Sequence, residues 1–149
     1  MKHRALDQLA PVAKIVAFDP APSRVERRAR LRRLATLIEA HDGPVLPFYS
    51  LERVPEPDRH LLQQDSSPFA VAFHDAQFRL QGLTSDRVGD GMEFFGLSWG
   101  QTHRLLCECN YTSTDTQKLM AARVRKFAER RSIGEIWSGL AQAVWARSR

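Results

Sequence analysis

The chain has little cysteine and no long apolar run, and both absences restrict its class. Its 149 residues include only two cysteines, Cys107 and Cys109, which are too few and too close to form a disulfide framework. We therefore expect a cytoplasmic setting with free thiols. No stretch reaches the roughly 18 consecutive apolar residues that a membrane-spanning helix needs. Because Asp7, Pro11 and Lys14 interrupt the first apolar residues, we expect no secretory signal there.

Several sequence motifs that define enzyme classes are also missing. The chain has no Gly-x-x-x-x-Gly-Lys phosphate loop, no Gly-x-Gly-x-x-Gly dinucleotide motif and no His-Glu-x-x-His zinc motif. Paired zinc-finger spacing is absent as well. These absences favour a non-enzymatic protein without a resident cofactor. The alternative is a zinc or iron ion bound by His103, Cys107 and Cys109.

Arginine, by contrast, is abundant and clustered. The formal net charge is +5 at pH 7, although lysine occurs only at positions 2, 14, 118 and 126. Six arginines crowd the first half of a helix predicted from Ser23 to about Ala40, namely Arg24, Arg27, Arg28, Arg30, Arg32 and Arg33. Positive side chains at a helix N-terminus oppose the macrodipole, each by roughly 0.3–1 kcal/mol. Arg27 and Arg30 also project onto the apolar face of this helix, which predicts that they either protrude or meet acidic groups.

The arginine cluster supplies the leading functional hypothesis. A basic surface of this kind fits a regulatory or binding protein that docks an acidic partner, either a protein or a nucleic acid. The competing interpretation is a solvated basic face whose aliphatic stems cover nearby apolar surface. Sequence-specific DNA reading is disfavoured, because the turn over 109–113 is longer than the three or four residues of a helix-turn-helix module.

A second cluster lies in the helix predicted to begin after Ser98. His103 and Cys107 are four residues apart on one helical face, which is close enough to share a metal ion such as zinc or iron. Cys109 would point roughly 160° away from Cys107 if the helix continued. The three donors therefore converge only if the helix ends near the cysteines. The alternatives are thiol chemistry and two ordinary residues of a buried face.

The capping and stop signals predict an all-α bundle of five to seven mostly short helices in a single domain over 1–149, with 1–22 as a flexible arm. The predicted elements are the helix from Ser23, a short helix over 58–64, segments that begin at Ser67, Asp75, Ser85 and Ser98, a helix from 113–114 to about Arg131, and a last helix over 133–147. The alternative is an α+β fold with a small sheet from the apolar runs 12–18, 45–51 and 69–73.

The predicted last helix carries a clean apolar stripe. It consists of Ile133, Ile136, Trp137, Leu140 and Val144, which follow the 3.6-residue repeat. Such a stripe is typical of core packing, and it also offers a surface for a homo-oligomer.

Overall fold

A computed structural model describes residues 21–49, 51–112 and 114–130, and this part of the chain is all-α. Its α-helices are α1 (Arg24–Ala40), α2 (Pro68–His74), α3 (Ala76–Leu80), α4 (Val88–Phe95), α5 (Trp99–Leu106) and α6 (Thr116–Glu129). Short 3-10 turns cover Leu51–Arg53, Glu56–Leu61 and Glu108–Asn110. Within these ranges no helix is both long and apolar enough to cross a membrane.

Helix α1 begins and ends where the sequence predicts. The Ser23 hydroxyl accepts a hydrogen bond from the Glu26 N–H, and the Glu26 carboxylate accepts one from the Ser23 N–H at 2.8 Å. This reciprocal capping box satisfies two backbone donors that the first turn leaves unpaired. At the other end the backbone turns extended at His41. The buried side of α1, formed by Leu31, Leu34, Ala35 and Ile38, packs most extensively against α6.

The middle helices follow their caps, with one shift at α4. Ser67 caps α2, and the Asp75 carboxylate accepts from the Phe78 N–H to cap α3. Helix α4 begins at Val88, three residues later than the predicted start at Ser85. The Ser85 hydroxyl instead hydrogen-bonds the Asp90 carboxylate and the Arg87 N–H, and so orders the turn before the helix.

A cluster of phenylalanines forms the centre of the core. Phe69 stacks on Phe95 with ring centroids 5.6 Å apart, and Phe78 meets the same Phe95 ring edge-on at 5.3 Å. Gly91 allows α4 to approach this cluster, since a Cβ atom there would lie 2.4 Å from the Phe69 ring. Close packing therefore explains a glycine inside a helix, where it costs about 1 kcal/mol relative to alanine.

The small accessory sheet is not found in the ranges that the structure describes. The apolar run 69–73 lies inside α2, and the run 45–51 supplies only an isolated bridge between Phe48 and Cys107. The run 12–18, residues 1–20 of the arm predicted over 1–22, and the last helix over 133–147 with its apolar stripe lie outside the described residues.

Candidate metal centre at the end of helix α5

The end of α5 brings both cysteines of the chain together with His103. The Ser98 capping box starts the helix, and the last helical residue is Leu106. Cys107 already has an extended backbone, with φ −84° and ψ 140°, and a 3-10 turn follows over Glu108–Asn110. Because the helix ends before both cysteines, Cys109 turns back towards His103. We call His103, Cys107 and Cys109 the α5 corner.

The three donor atoms of the α5 corner converge closely. Sγ of Cys109 lies 3.6 Å from Nε2 of His103 and 3.2 Å from Sγ of Cys107. All three ligand atoms lie within 4.8 Å of one another. Cys107 is fully buried, His103 is half-buried and Cys109 is exposed. Among the residues described, no further His, Cys, Asp or Glu joins this group.

A long-range backbone contact ends α5 at this position. The Phe48 N–H donates to the Leu106 carbonyl at 2.7 Å, and the Glu108 N–H donates to the Phe48 carbonyl at 3.0 Å. These two hydrogen bonds hold Cys107 in an extended conformation beside Phe48. Phe48 is itself buried, so the corner is attached directly to the hydrophobic core.

A second set of contacts fixes the turn that carries Cys109. The Asn110 side-chain amide donates to the His103 carbonyl at 2.9 Å and lies 3.3 Å from Sγ of Cys109. Arg123 on α6 donates to the Asn110 carbonyl at 2.8 Å and lies over the Tyr111 ring. The Tyr111 hydroxyl donates to the Leu105 carbonyl. Burial raises the pKa of Tyr111 to about 12, against the smaller opposing effect of the Arg123 charge.

Two of the three separations between the ligand atoms are close to those of a zinc site. Zn–S bonds of about 2.3 Å and Zn–N bonds of about 2.0–2.1 Å at a tetrahedral angle separate sulfur from nitrogen by about 3.6 Å and two sulfurs by about 3.8 Å. The Cys109–His103 separation of 3.6 Å already matches the first value. The sulfur pair at 3.2 Å has to open by only about half an ångström.

The arginines of α1, in contrast, are partly engaged by their own chain. Arg30 donates to the Phe94 carbonyl at 2.7 Å, and its guanidinium lies 4.0 Å from the centre of the Phe94 ring. Arg27 donates to the Gln101 side chain at 3.2 Å and lies over the Phe127 ring. Burial lowers the pKa of Arg27, and the neighbouring positive charge of Arg24 adds to this effect.

The expectation that Arg27 and Arg30 either protrude or meet acidic groups was therefore wrong. Both side chains are half-buried, and their partners are aromatic rings, a carbonyl and an amide. The face of a ring attracts a cation without contributing a formal charge. The acidic contact in this cluster is instead at Arg33, which makes a two-point ion pair with Asp75 at 2.7 and 3.2 Å.

The remaining arginines of the cluster are Arg24, Arg28 and Arg32. Arg28 is half-buried and donates from Nε to the Ala128 carbonyl at 3.0 Å. Arg24 and Arg32 are exposed. Spacing of four residues places Arg24, Arg28 and Arg32 on one side of the helix, about 6 Å apart along its axis.

One further sequence pattern lies beside the α5 corner. Gly96-Leu97-Ser98-Trp99-Gly100 matches the Gly-x-Ser-x-Gly letters of a nucleophile elbow, which needs a strained strand-to-helix turn. Here a helix, α4, precedes the segment, and Ser98 has an ordinary φ of −74°. Its hydroxyl accepts from the Gln101 N–H as a helix cap. The structural context thus excludes an elbow.

The helical pair α5–α6 also lacks helix-turn-helix geometry. Nine residues, including a 3-10 turn, separate Leu106 from Thr116, whereas the DNA-binding motif uses a turn of about three or four residues. No known protein family, curated protein or solved structure shows significant similarity to this chain. Functional inference therefore depends on the chemistry of its own residues.

Proposed function

We propose that this protein binds one zinc ion at the α5 corner, through Nε2 of His103 and the thiolates of Cys107 and Cys109. The observation that supports the proposal is the convergence of the three ligand atoms within 4.8 Å. Imidazole and thiolate are the donors that zinc prefers. The Asn110 amide, which bonds both the His103 carbonyl and the Cys109 sulfur, acts as the outer support that ligands of metal sites usually have.

The ligand set also indicates the kind of zinc site. Structural zinc sites normally have four protein ligands, whereas three protein ligands leave a position for water or another small ligand. Cys109 is exposed, so the site lies at the surface rather than deep in the core. We therefore propose a zinc site with one exchangeable position. The same donors also suit other thiophilic ions, among them iron and copper(I).

The test is a titration of the reduced full-length protein with Co²⁺, followed by displacement with Zn²⁺. Thiolate ligation gives Co²⁺ an intense near-ultraviolet charge-transfer band, and tetrahedral ligands give strong visible bands. We expect one equivalent to bind with both signatures. Cys109→Ser should weaken the charge-transfer band, and His103→Asn should lower the affinity while retaining the band.

A matched control separates specific ligation from general effects of substitution. His74 is an exposed histidine that does not belong to the converging group. His74→Asn should therefore bind Co²⁺ as the unmodified chain does. Absence of a charge-transfer band in the reduced protein, or equal loss of affinity in His103→Asn and His74→Asn, would contradict the proposal. Because Cys109 is exposed, Cys109→Ser should fold even if a change at buried Cys107 does not.

We also propose docking of a polyanionic partner along the exposed arginines Arg24 and Arg32. The exposure of Arg24 and Arg32 supports this second function, as does the net charge of +5. Arg24 and Arg32 lie about 12 Å apart along one side of α1, a distance that a flexible chain of phosphates or carboxylates can span. Arg27, Arg28 and Arg30 are half-buried against their own chain and Arg33 is paired with Asp75, so these four contribute less.

Fluorescence anisotropy with a single-stranded oligonucleotide and with a polyglutamate peptide, at low and moderate salt, tests this docking. The double variant Arg24→Gln/Arg32→Gln should lose most of the binding, and affinity should fall as salt rises. Lys118→Gln removes one exposed positive charge on α6 and serves as the control. Equal effects of the control and the double variant, or no binding of either probe, would contradict the second function.

A further inference from the structure

The two sulfurs of the α5 corner differ in their access to solvent. Cys109 is exposed, whereas Cys107 is fully buried, yet their Sγ atoms are only 3.2 Å apart. A reagent from solvent therefore meets Cys109 first. The buried sulfur then lies within immediate reach of whatever forms on Cys109.

We propose that Cys107 and Cys109 form a modification site, in which a peroxide oxidises Cys109 and Cys107 closes an intramolecular disulfide. The oxidant is a hydroperoxide of small size, such as hydrogen peroxide. Exposed thiols beside a second cysteine are the usual sites of reversible oxidation, because the neighbour captures the sulfenic acid before further oxygen is added.

The reaction balances in two steps. The Cys109 thiol takes one oxygen from hydrogen peroxide, which breaks the O–O bond, gives Cys109 sulfenic acid and releases one water. The Cys107 sulfur then attacks the Cys109 sulfur and forms the S–S bond. The S–O bond breaks, and the leaving hydroxide takes the Cys107 proton to give a second water. One peroxide thus accepts two electrons from two thiols.

The positions of the surrounding groups favour a disulfide within one molecule. The Asn110 amide lies 3.3 Å from Sγ of Cys109 and holds the exposed sulfur beside its neighbour. The paired backbone hydrogen bonds at Phe48 hold Cys107 in place. A fixed pair of this kind favours closure within one molecule over cross-linking between molecules, since the effective concentration of the second thiol is high.

Disulfide formation also controls the metal site. A disulfide offers no thiolate, so oxidation removes two of the three zinc ligands. Conversely, bound zinc occupies both sulfurs and shields them from peroxide. This control rests on the proposed zinc function, whereas disulfide formation itself does not, because it does not require His103.

The experiment uses the full chain, reduced and stripped of metal with a chelator, and treated with hydrogen peroxide. Intact-mass spectrometry should show a monomer that has lost two hydrogen atoms, and a dithiol reductant should reverse the change. In Cys107→Ser, a 1,3-dione probe should trap a sulfenic acid on Cys109. In Cys109→Ser, the buried thiol should react at least about tenfold more slowly.

His103→Asn separates the two proposals. This variant should lose zinc affinity and still form the disulfide at an unchanged or modestly altered rate. A disulfide that forms only between molecules, faster trapping at Cys107 than at Cys109, or the absence of the dehydrogenated monomer would overturn the modification site. If the disulfide forms equally fast with and without zinc, zinc does not shield the two sulfurs, and the proposed coupling between oxidation and zinc binding is wrong. The modification site itself would still stand.

Discussion

The arginine-rich half of α1 is conspicuous in the sequence but largely engaged within the fold, whereas the α5 corner is inconspicuous in the sequence and converges in the fold. The six arginines form the most conspicuous cluster in the chain, yet Arg27, Arg30 and Arg33 are engaged within the fold by aromatic rings, a carbonyl and the Asp75 carboxylate. The corner has only one histidine and two cysteines, whose helical projection sends Cys109 away from Cys107. Their donor atoms nevertheless converge within 4.8 Å.

The comparison shows that contacts between distant segments determine which side chains are available to bind a ligand. Arg30 meets a carbonyl and an aromatic ring that lie 64 residues further along the chain. The corner converges because a distant backbone segment at Phe48 ends α5 before both cysteines. In both regions, contacts between distant segments decide whether a cluster serves the fold or remains open to a ligand.

The largest expected effect is on zinc affinity, which should depend on the ligands of the corner and not on the arginines of α1. Cys109→Ser removes a proposed ligand, so zinc affinity should fall more than about 100-fold, beyond the 10–100-fold loss typical of outer supporting groups. Arg30→Met should leave zinc affinity unchanged. Competition with a chromophoric chelator measures both values. Equal affinities of the two variants would remove the contrast between the regions.

A smaller loss of zinc affinity is expected when Asn110, which supports the corner, is replaced. Asn110→Ala removes the amide that bonds the His103 carbonyl and the Cys109 sulfur. Zinc affinity should fall about 10-fold, because the turn that carries Cys109 is less well oriented. Gln63→Ala removes an amide that bonds Asp86 elsewhere on the surface and is the control. Unchanged affinity in Asn110→Ala would show that Asn110 does not orient the ligands.

Within α1, paired substitutions should separate arginines that serve the fold from those that face solvent. Arg30→Met loses the hydrogen bond to the Phe94 carbonyl and the contact with the Phe94 ring, and should lower the free energy of unfolding by about 1–2 kcal/mol. Arg32→Met, at an exposed position, should change it by less than about 0.5 kcal/mol. Urea denaturation measures both, and equal losses would show that the ring contact does not stabilise the fold.

The smallest effect concerns the ion pair of Arg33 with Asp75. The Arg33 hydrogen bond, followed by the Phe78 N–H, lowers the pKa of Asp75 below its ordinary value of about 3.9. A lowered pKa in the folded state stabilises the fold above the unfolded-state value, and this stabilisation is lost as pH falls through the folded value. Asp75→Asn should therefore be less stable than the unmodified chain at pH 7, by less than about 1 kcal/mol. The difference should shrink below about pH 4.

Urea denaturation at several pH values measures this dependence. Asp86→Asn is a suitable control, because the Asp86 carboxylate is hydrogen-bonded by the Gln63 amide rather than by an arginine. A gap between Asp75→Asn and the unmodified chain that stays constant from pH 7 to about pH 3 would contradict the assignment of the stabilisation to the charged carboxylate.

Local signals predicted most of the described helices. The capping boxes at Ser23 and Ser98 and the cap at Asp75 depend on residues three apart, and each begins a helix as predicted. On α6, Met120 and Val124 are buried at a helical spacing of four residues.

Two features that local signals missed, at Arg30 and at the end of α5, depend on contacts between distant segments. Neither the ring beneath Arg30 nor the bridge that ends α5 can be derived from spacing, since each joins segments more than fifty residues apart. A local pattern can also match a motif whose structural context is absent. Gly96–Gly100 has the letters of a nucleophile elbow, but the element before it is a helix, so the same five residues form a cap instead.

Zinc K-edge X-ray absorption of the zinc-loaded, reduced protein identifies the atoms that bind the metal. A zinc ion at the α5 corner should give two sulfur neighbours at about 2.3 Å and at least one imidazole nitrogen at about 2.0–2.1 Å. One sulfur should disappear in Cys109→Ser. A first shell made only of nitrogen and oxygen, or a sulfur count that does not change in Cys109→Ser, would contradict a metal centre at the α5 corner.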